Sequence, residues 1–255
     1  MDVSGPRLAA AVLVAASLLA AGAEAAQTNV AVASNFTDAA NEIAAAFAAA
    51  TNHHAVLSFG ATGQFYTQIT QGAPFEVFLA ADDERPARAV AEGYGVTGTV
   101  FTYAIGQLVL SSAEAGRVTG PATLRSGDFD RIAIANPATA PYGRAAVEAM
   151  RSLGVYDTLQ PKIIQGQNIG QTFQFVETGN AEVGFVALGQ VSQTEAGSRW
   201  IVPQQHYQPI KQDAVLLKAG ENNPAAAAFV EFLKGDEASA IIQKYGYALA
   251  RDRRD

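Results

Sequence analysis

The chain has 255 residues, of which 49% are hydrophobic and 16% charged, and its formal net charge is −7. This composition is typical of a folded globular protein, and the mild acidic excess argues against nucleic acid or an anionic membrane as a partner. The sequence contains no cysteine, which excludes disulfide bonds and a cysteine-linked lipid anchor. We therefore expect a fold stabilised by packing alone, without a membrane anchor.

The N-terminal segment has the pattern of a secretory signal peptide. A run of small and aliphatic residues from Leu8 to Ala21 precedes Ala23-Glu24-Ala25, a small-x-small cleavage pattern. The run is too short and too rich in alanine for a dependable membrane span. The sequence therefore predicts a signal peptide over residues 1–25 and a soluble product exported to the periplasm.

Short apolar runs alternate along the chain with stretches of helical periodicity. The expected strands are Asn29 to Ala33, Ala55 to Phe59, Val77 to Ala80, Arg131 to Ala135, Pro161 to Ile164, Val183 to Leu188 and Trp200 to Pro203. After the first strand, Ala39, Ile43 and Phe47 fall on one face of a helix. This alternation predicts an α/β protein with mixed, mainly parallel sheets that helices flank.

Two longer and partly polar runs divide the chain into two lobes. Ala104 to Ser112 and Ile210 to Lys218 bracket a block of about one hundred residues, which is the size of a domain. We interpret them as crossover strands that join the lobes. The predicted lobes are residues 26–104 with 213–255, and residues 105–212.

The residues needed for catalysis or for direct metal binding are sparse. His53 and His54 are adjacent, His206 stands alone, and the spacings of zinc sites, of the serine nucleophile elbow and of the Walker lysine are missing. The histidine pair has no evident third ligand, which favours a surface loop over a metal site. We expect no enzyme activity, no cofactor and no direct metal ligands.

Small or hydroxylic residues recur where a strand passes into a helix. The four junctions are Ala33 to Thr37, Gly60 to Gly63, Pro141 to Gly143 and Asn168 to Gly170, two in each predicted lobe. The last two precede helices expected over Arg144 to Leu153 and Gln171 to Thr178. A helix start carries free backbone N–H groups and a partial positive charge, so it suits an anion without lysine or arginine. The alternative is that Ser34, Asn35 and Thr62 merely cap helices. The repetition of the junction in both lobes favours an anion site with neutral donors, and Arg144 is expected on a solvated face.

Four sequence blocks resemble the periplasmic molybdate-binding proteins of ABC importers. They are VAVASNFTDAANEIAAAF, SFGATGQFYTQITQGAPFEVFLAAD, IAIANPATAPYGRAAVEAMRSLGVYDTL and FLKGDEASAIIQKYGY, and the match as a whole covers about Thr28 to Tyr247. The resemblance implies a two-lobed type II periplasmic binding protein fold that holds molybdate or tungstate in the cleft. It also implies delivery to a membrane permease with its ATPase, and we expect a monomer.

The resemblance also implies which residues hold the anion. Ser34 and Asn35 occupy the first turn, Thr62 supplies a hydroxyl where serine is usual, and the backbone N–H groups of Tyr142 and Ile169 complete the set. A tyrosine that often contributes in the family is replaced here by Ala187.

The sequence leaves the choice of anion open. Sulfate or another tetrahedral oxyanion could occupy the same fold, and molybdate cannot be told from tungstate. A secreted hydrolase of phosphate or sulfate esters is disfavoured, because no nucleophile, base and orienting group can be assembled from the sequence.

Overall fold

The computed structural model describes residue 1 and residues 25–250. The predicted signal peptide therefore lies almost entirely outside the described residues. Within them, no helix combines the length and the apolar character needed to cross a membrane.

The described chain contains ten strands in two five-stranded sheets. In chain order they are β1 (Gln27–Ala33), β2 (His54–Gly60), β3 (Val77–Leu79), β4 (Phe101–Gly106), β5 (Leu108–Ser112), β6 (Ile132–Ala135), β7 (Ile163–Gly166), β8 (Val183–Ala187), β9 (Ser198–Ile201) and β10 (Ile210–Leu216). The first sheet has the order β2-β1-β3-β10-β4 and the second β7-β6-β8-β5-β9. We call each sheet with its covering helices a lobe.

The two sheets share one pattern of strand directions. In each, the first three strands in the order pair in parallel, and the fourth strand, β10 or β5, is antiparallel to both neighbours. Parallel and antiparallel pairings are therefore equal in number, although four of the five strands point the same way. The predicted mixed α/β architecture is confirmed.

Helices cover both faces of each sheet. They are α1 (Thr37–Thr51), α2 (Thr62–Thr70), α3 (Glu84–Ala91), α4 (Pro121–Ser126), α5 (Pro141–Ser152), α6 (Tyr156–Leu159), α7 (Ile169–Glu177), α8 (Leu188–Val191), α9 (Pro224–Lys234) and α10 (Asp236–Lys244). In α1, the predicted face of Ala39, Ile43 and Phe47 is buried against the first sheet together with residues of α9 and α10. Helices α2 and α3 cover its other face. Packing of these apolar faces holds each lobe together.

The predicted crossover runs differ in detail from the strands that form. The run from Ala104 to Ser112 is two strands, because β4 ends at Gly106 in the first sheet and β5 begins at Leu108 in the second. Gln107 alone separates them. The run Ile210 to Lys218 forms β10 up to Leu216, and β10 lies entirely in the first sheet, so the return passage lies between β9 and β10.

The carboxyl ends of four strands bring the predicted junctions together. In the first lobe Ala33 at the end of β1 is in register with Gly60 at the end of β2. In the second, Ala135 at the end of β6 is in register with Gly166 at the end of β7. The chain turns into a helix start after each strand, and the four helix starts meet in the cleft between the lobes.

Candidate functional site

A small cavity lies in the cleft, and all five residues predicted from the sequence line it. Its volume is about 10 Å³. Its wall consists of Ser34, Asn35, Thr62, Tyr142 and Ile169, together with Ala33, Gly60, Ala61, Ala81, Ala140 and Pro141. None of the five predicted residues is more than 6% exposed. The structure therefore collects residues from four separate junctions around one buried space.

Two hydroxyl groups in this wall are oriented by backbone N–H groups. The N–H of Ala81 donates to Thr62 Oγ1 at 3.0 Å, and the N–H of Gly170 in the second lobe donates to Ser34 Oγ at 3.2 Å. A hydroxyl that accepts one hydrogen bond still has its own hydrogen to donate. Neither hydroxyl caps its own helix, because the N-cap positions are Ala61 and Ala33 and make no side-chain bond. The two side chains are available as donors to a bound group.

The second lobe contributes backbone donors from two helix starts. Helix α5 begins with Pro141 at its first position, so Tyr142 lies in its first turn. Helix α7 begins at Ile169, and the Asn168 side chain accepts a hydrogen bond from Gln171 N at 2.9 Å. First-turn N–H groups have no partner within their helix. Both helices start earlier than their periodicity suggests, which places Tyr142 and Ile169 inside the helical turns.

Asn35 is held by two residues that the sequence analysis did not identify. Its Nδ2 donates to Gln212 Oε1 at 2.5 Å and to the Tyr247 hydroxyl at 3.2 Å. Both amide hydrogens are therefore used, which leaves the backbone N–H of Asn35 for a ligand. No signal in the sequence pointed to them, since Gln212 is one of three consecutive polar residues in β10 and Tyr247 lies near the C-terminus without a recognisable motif.

The hydroxyl of Tyr142 lies against Gly106 at the end of β4. It is buried and has no hydrogen-bond partner among the described residues, and a Cβ on Gly106 would collide with it. Burial raises the pKa of Tyr142 well above its usual value, and Tyr247 raises it further. The group stays protonated at any ordinary pH. Ala187, where the resemblance implied the loss of a tyrosine, does not line the cavity.

Charged side chains surround the site without entering it. Asp82 is 3% exposed and pairs with Arg85; burial raises the pKa of this carboxyl, and the Arg85 charge opposes the rise. Arg144 is half exposed, as expected, and its Nη1 lies 3.7 Å from Glu84 Oε2 across the cleft. No lysine, arginine or histidine lines the cavity within the described residues.

The histidine pair was expected in a surface loop, but only one of its two side chains is exposed. His53 is buried and its Nδ1 accepts a hydrogen bond from Ala26 N at 3.2 Å, whereas His54 is exposed. Among residues 25–250, no group of three histidine or acidic side chains is placed to hold a metal ion.

Comparisons with known proteins agree with this arrangement. The model of the family described as bacterial extracellular solute-binding protein matches residues 28–248. The chain is 56% identical to the molybdate-binding protein ModA of Rhodobacter capsulatus, over 90% of this chain and 91% of that protein. It is 51% identical to ModA of Azotobacter vinelandii, over 93% and 96% of the two chains.

Solved structures support the same assignment. The Azotobacter vinelandii periplasmic molybdate-binding protein superposes with a TM-score of 0.84 at 39% identity, covering 87% of this chain and 99% of that one. The sulfate-binding protein SubI of Mycobacterium tuberculosis, at 15% identity and a TM-score of 0.72, shares the fold. The fold expected from the sequence is confirmed, and the chain belongs to the bacterial extracellular solute-binding protein family.

Proposed function

We propose that this protein captures molybdate or tungstate outside the cytoplasm and delivers it to an ABC importer. The observation that carries the proposal is the buried cavity in which four helix starts present donors without any cationic side chain. The names of the two relatives above 50% identity point to the same anion.

The donor set fits an oxyanion in its chemistry. The proposed donors are the hydroxyls of Ser34 and Thr62 and the backbone N–H groups of Asn35, Tyr142 and Ile169. The oxygens of a fully deprotonated oxyanion such as molybdate only accept. A buried anion must exchange its hydration for such donors. Charge-assisted hydrogen bonds and the partial positive charge of the helix starts compensate that loss.

Binding requires the lobes to open and close. In this closed arrangement Gly63 N donates to Thr139 O at 2.8 Å across the cleft, and the bond from Gly170 to Ser34 closes another part of it. We infer that the first lobe, which includes β4 and β10, moves against the second lobe, which runs from β5 to β9. The boundaries predicted at 104/105 and 212/213 therefore move to Gln107 and to the passage between β9 and β10. Hinge closure of this kind is known for periplasmic binding proteins.

The remaining parts of the proposal concern location and partners. The predicted signal peptide supports export to the periplasm, where the protein would act as a monomer and without a cofactor. A permease with its ATPase would receive the anion. Sulfate remains the competing ligand, because it has the same charge and geometry and differs in size.

The decisive experiment is a calorimetric titration of the purified protein with molybdate, tungstate, sulfate and phosphate. We expect molybdate and tungstate to bind much more tightly than the other two. Absence of molybdate binding, or equal binding of all four anions, would refute the proposal. Turnover of a generic phosphate or sulfate ester would favour the hydrolase instead.

A further inference from the structure

The side chain of Asn35 is hydrogen-bonded to Tyr247 and Gln212, whereas Asn35 Oδ1 and Gln212 Nε2 have no partner among the described residues. The Tyr247 hydroxyl donates to the backbone oxygen of Asn35 at 2.6 Å and accepts from its side-chain amide at 3.2 Å. Gln212 Oε1 accepts the second amide hydrogen at 2.5 Å. Gln212 is 0% exposed and Tyr247 is 4% exposed, so water cannot replace these bonds.

The network fixes the backbone of the turn Ser34–Phe36. Holding both the side chain and the carbonyl of Asn35 restricts its φ and ψ, and φ sets the direction of its own N–H relative to these groups. The peptide bond joins this nitrogen to Ser34, so two proposed anion donors depend on the network. The side chain of Asn35 thus serves as an anchor, while the backbone faces the cavity.

The two anchoring residues belong to segments at the passage between the lobes. Gln212 lies in β10, next to a break in its register with β4, the strand that leads into the second lobe. The residue after Tyr247, Ala248, exchanges two backbone hydrogen bonds with Ile105 of β4, at 2.7 and 3.1 Å. The Tyr247 ring also packs so closely on Gly189, in α8 of the second lobe, that a Cβ there would collide with it.

We propose that Tyr247 and Gln212 are positioning residues, which hold the turn Ser34–Phe36 in its anion-binding geometry and tie it to the segments where the lobes join. The inference rests on the proposed function. It assigns to the C-terminal segment a part in anion binding, although neither residue lines the cavity.

The test compares two tyrosines of the same segment. Tyr247→Phe keeps the ring and removes both hydroxyl bonds to Asn35. Tyr245→Phe is the matched control, because its hydroxyl donates to Glu42 Oε2 at 2.9 Å on the outside of α1. Molybdate affinity is measured by calorimetry, and the thermal midpoint is measured with and without molybdate. We expect binding about fivefold weaker in Tyr247→Phe, a smaller midpoint increase on adding molybdate, and no change in Tyr245→Phe.

The outcomes separate positioning from plain stabilisation. A merely structural role would lower both midpoints equally and leave the affinity unchanged, and that result overturns the inference, as does an equal affinity loss in Tyr245→Phe. Gln212→Met, which removes the other anchor at similar volume, carries the same expectation if Tyr247→Phe fails to fold. If the unmodified protein binds no molybdate, the proposed function falls and the positioning role with it. Undiminished binding in both variants refutes only the positioning role.

Discussion

Replacing Thr62 by valine tests the proposed hydroxyl donors most directly, because valine keeps the shape and removes the oxygen. Thr62 Oγ1 accepts a hydrogen bond from the buried N–H of Ala81 at 3.0 Å, and we propose that it donates to the anion. Leaving the Ala81 N–H unpaired should cost about 1–3 kcal/mol of folding stability. Losing a charge-assisted bond to the anion should cost about 1.5–3 kcal/mol of binding, or roughly ten- to a hundredfold in affinity.

Two measurements on the same variants distinguish these effects. Urea unfolding without ligand reports the folding cost, and calorimetric titration with molybdate, under conditions where every variant is folded, reports the affinity. Thr62→Ser is the control, since it keeps a hydroxyl and should bind nearly as the unmodified protein does. If Thr62→Val unfolds more easily but retains full affinity, the hydroxyl only supports Ala81 and the assigned donor role is wrong.

Four further changes test the rest of the site. A Cβ on Gly63 would lie 3.0 Å from the Cα and the carbonyl oxygen of Thr139. Gly63→Ala should therefore hinder closure of the lobes and weaken molybdate binding without lowering the unfolding free energy. Small-angle scattering at saturating molybdate should then show a larger radius of gyration than in the unmodified protein. Tyr142→Phe should change the affinity less than about threefold, because the hydroxyl lies against Gly106; a larger loss in titration would place it on the anion. Ile169→Ala keeps its N–H, so its affinity loss should be well below that of the hydroxyl variant. Since every proposed donor is neutral, calorimetry from about pH 7 to about pH 9 should give a constant affinity, and a steep change would implicate a titrating side chain.

The strands and their order along the chain could be predicted because buried strands in these sheets are short apolar runs. The run Val183 to Leu188, for example, becomes the strand Val183–Ala187. The predicted positions of helix starts were less accurate than those of the strands. Helical periodicity placed two starts at Arg144 and Gln171, whereas proline at the first position and the cap of Asn168 begin the helices three and two residues earlier, at Pro141 and Ile169.

The site could be predicted only where its residues follow a local pattern. Ser34 and Thr62 stand directly after apolar strands, so their place at a helix start is visible in sequence. The partners of Asn35 are not, because Gln212 and Tyr247 are 177 and 212 positions away along the chain. Such contacts depend on how the second half of the chain returns to the first sheet. No local periodicity contains that information.

The matching strand orders of the two lobes have a consequence for the shape of the ligand. The donors of the first lobe follow β1 and β2, and those of the second follow β6 and β7, which hold the same places in their sheet. A tetrahedron has twofold axes that exchange one pair of corners with the other, so it can turn two oxygens toward each lobe. A planar anion with three oxygens, such as nitrate, cannot be divided in this way and would leave one side short of an acceptor. We therefore expect the duplicated architecture to favour tetrahedral over planar anions by symmetry, before the size of the anion contributes.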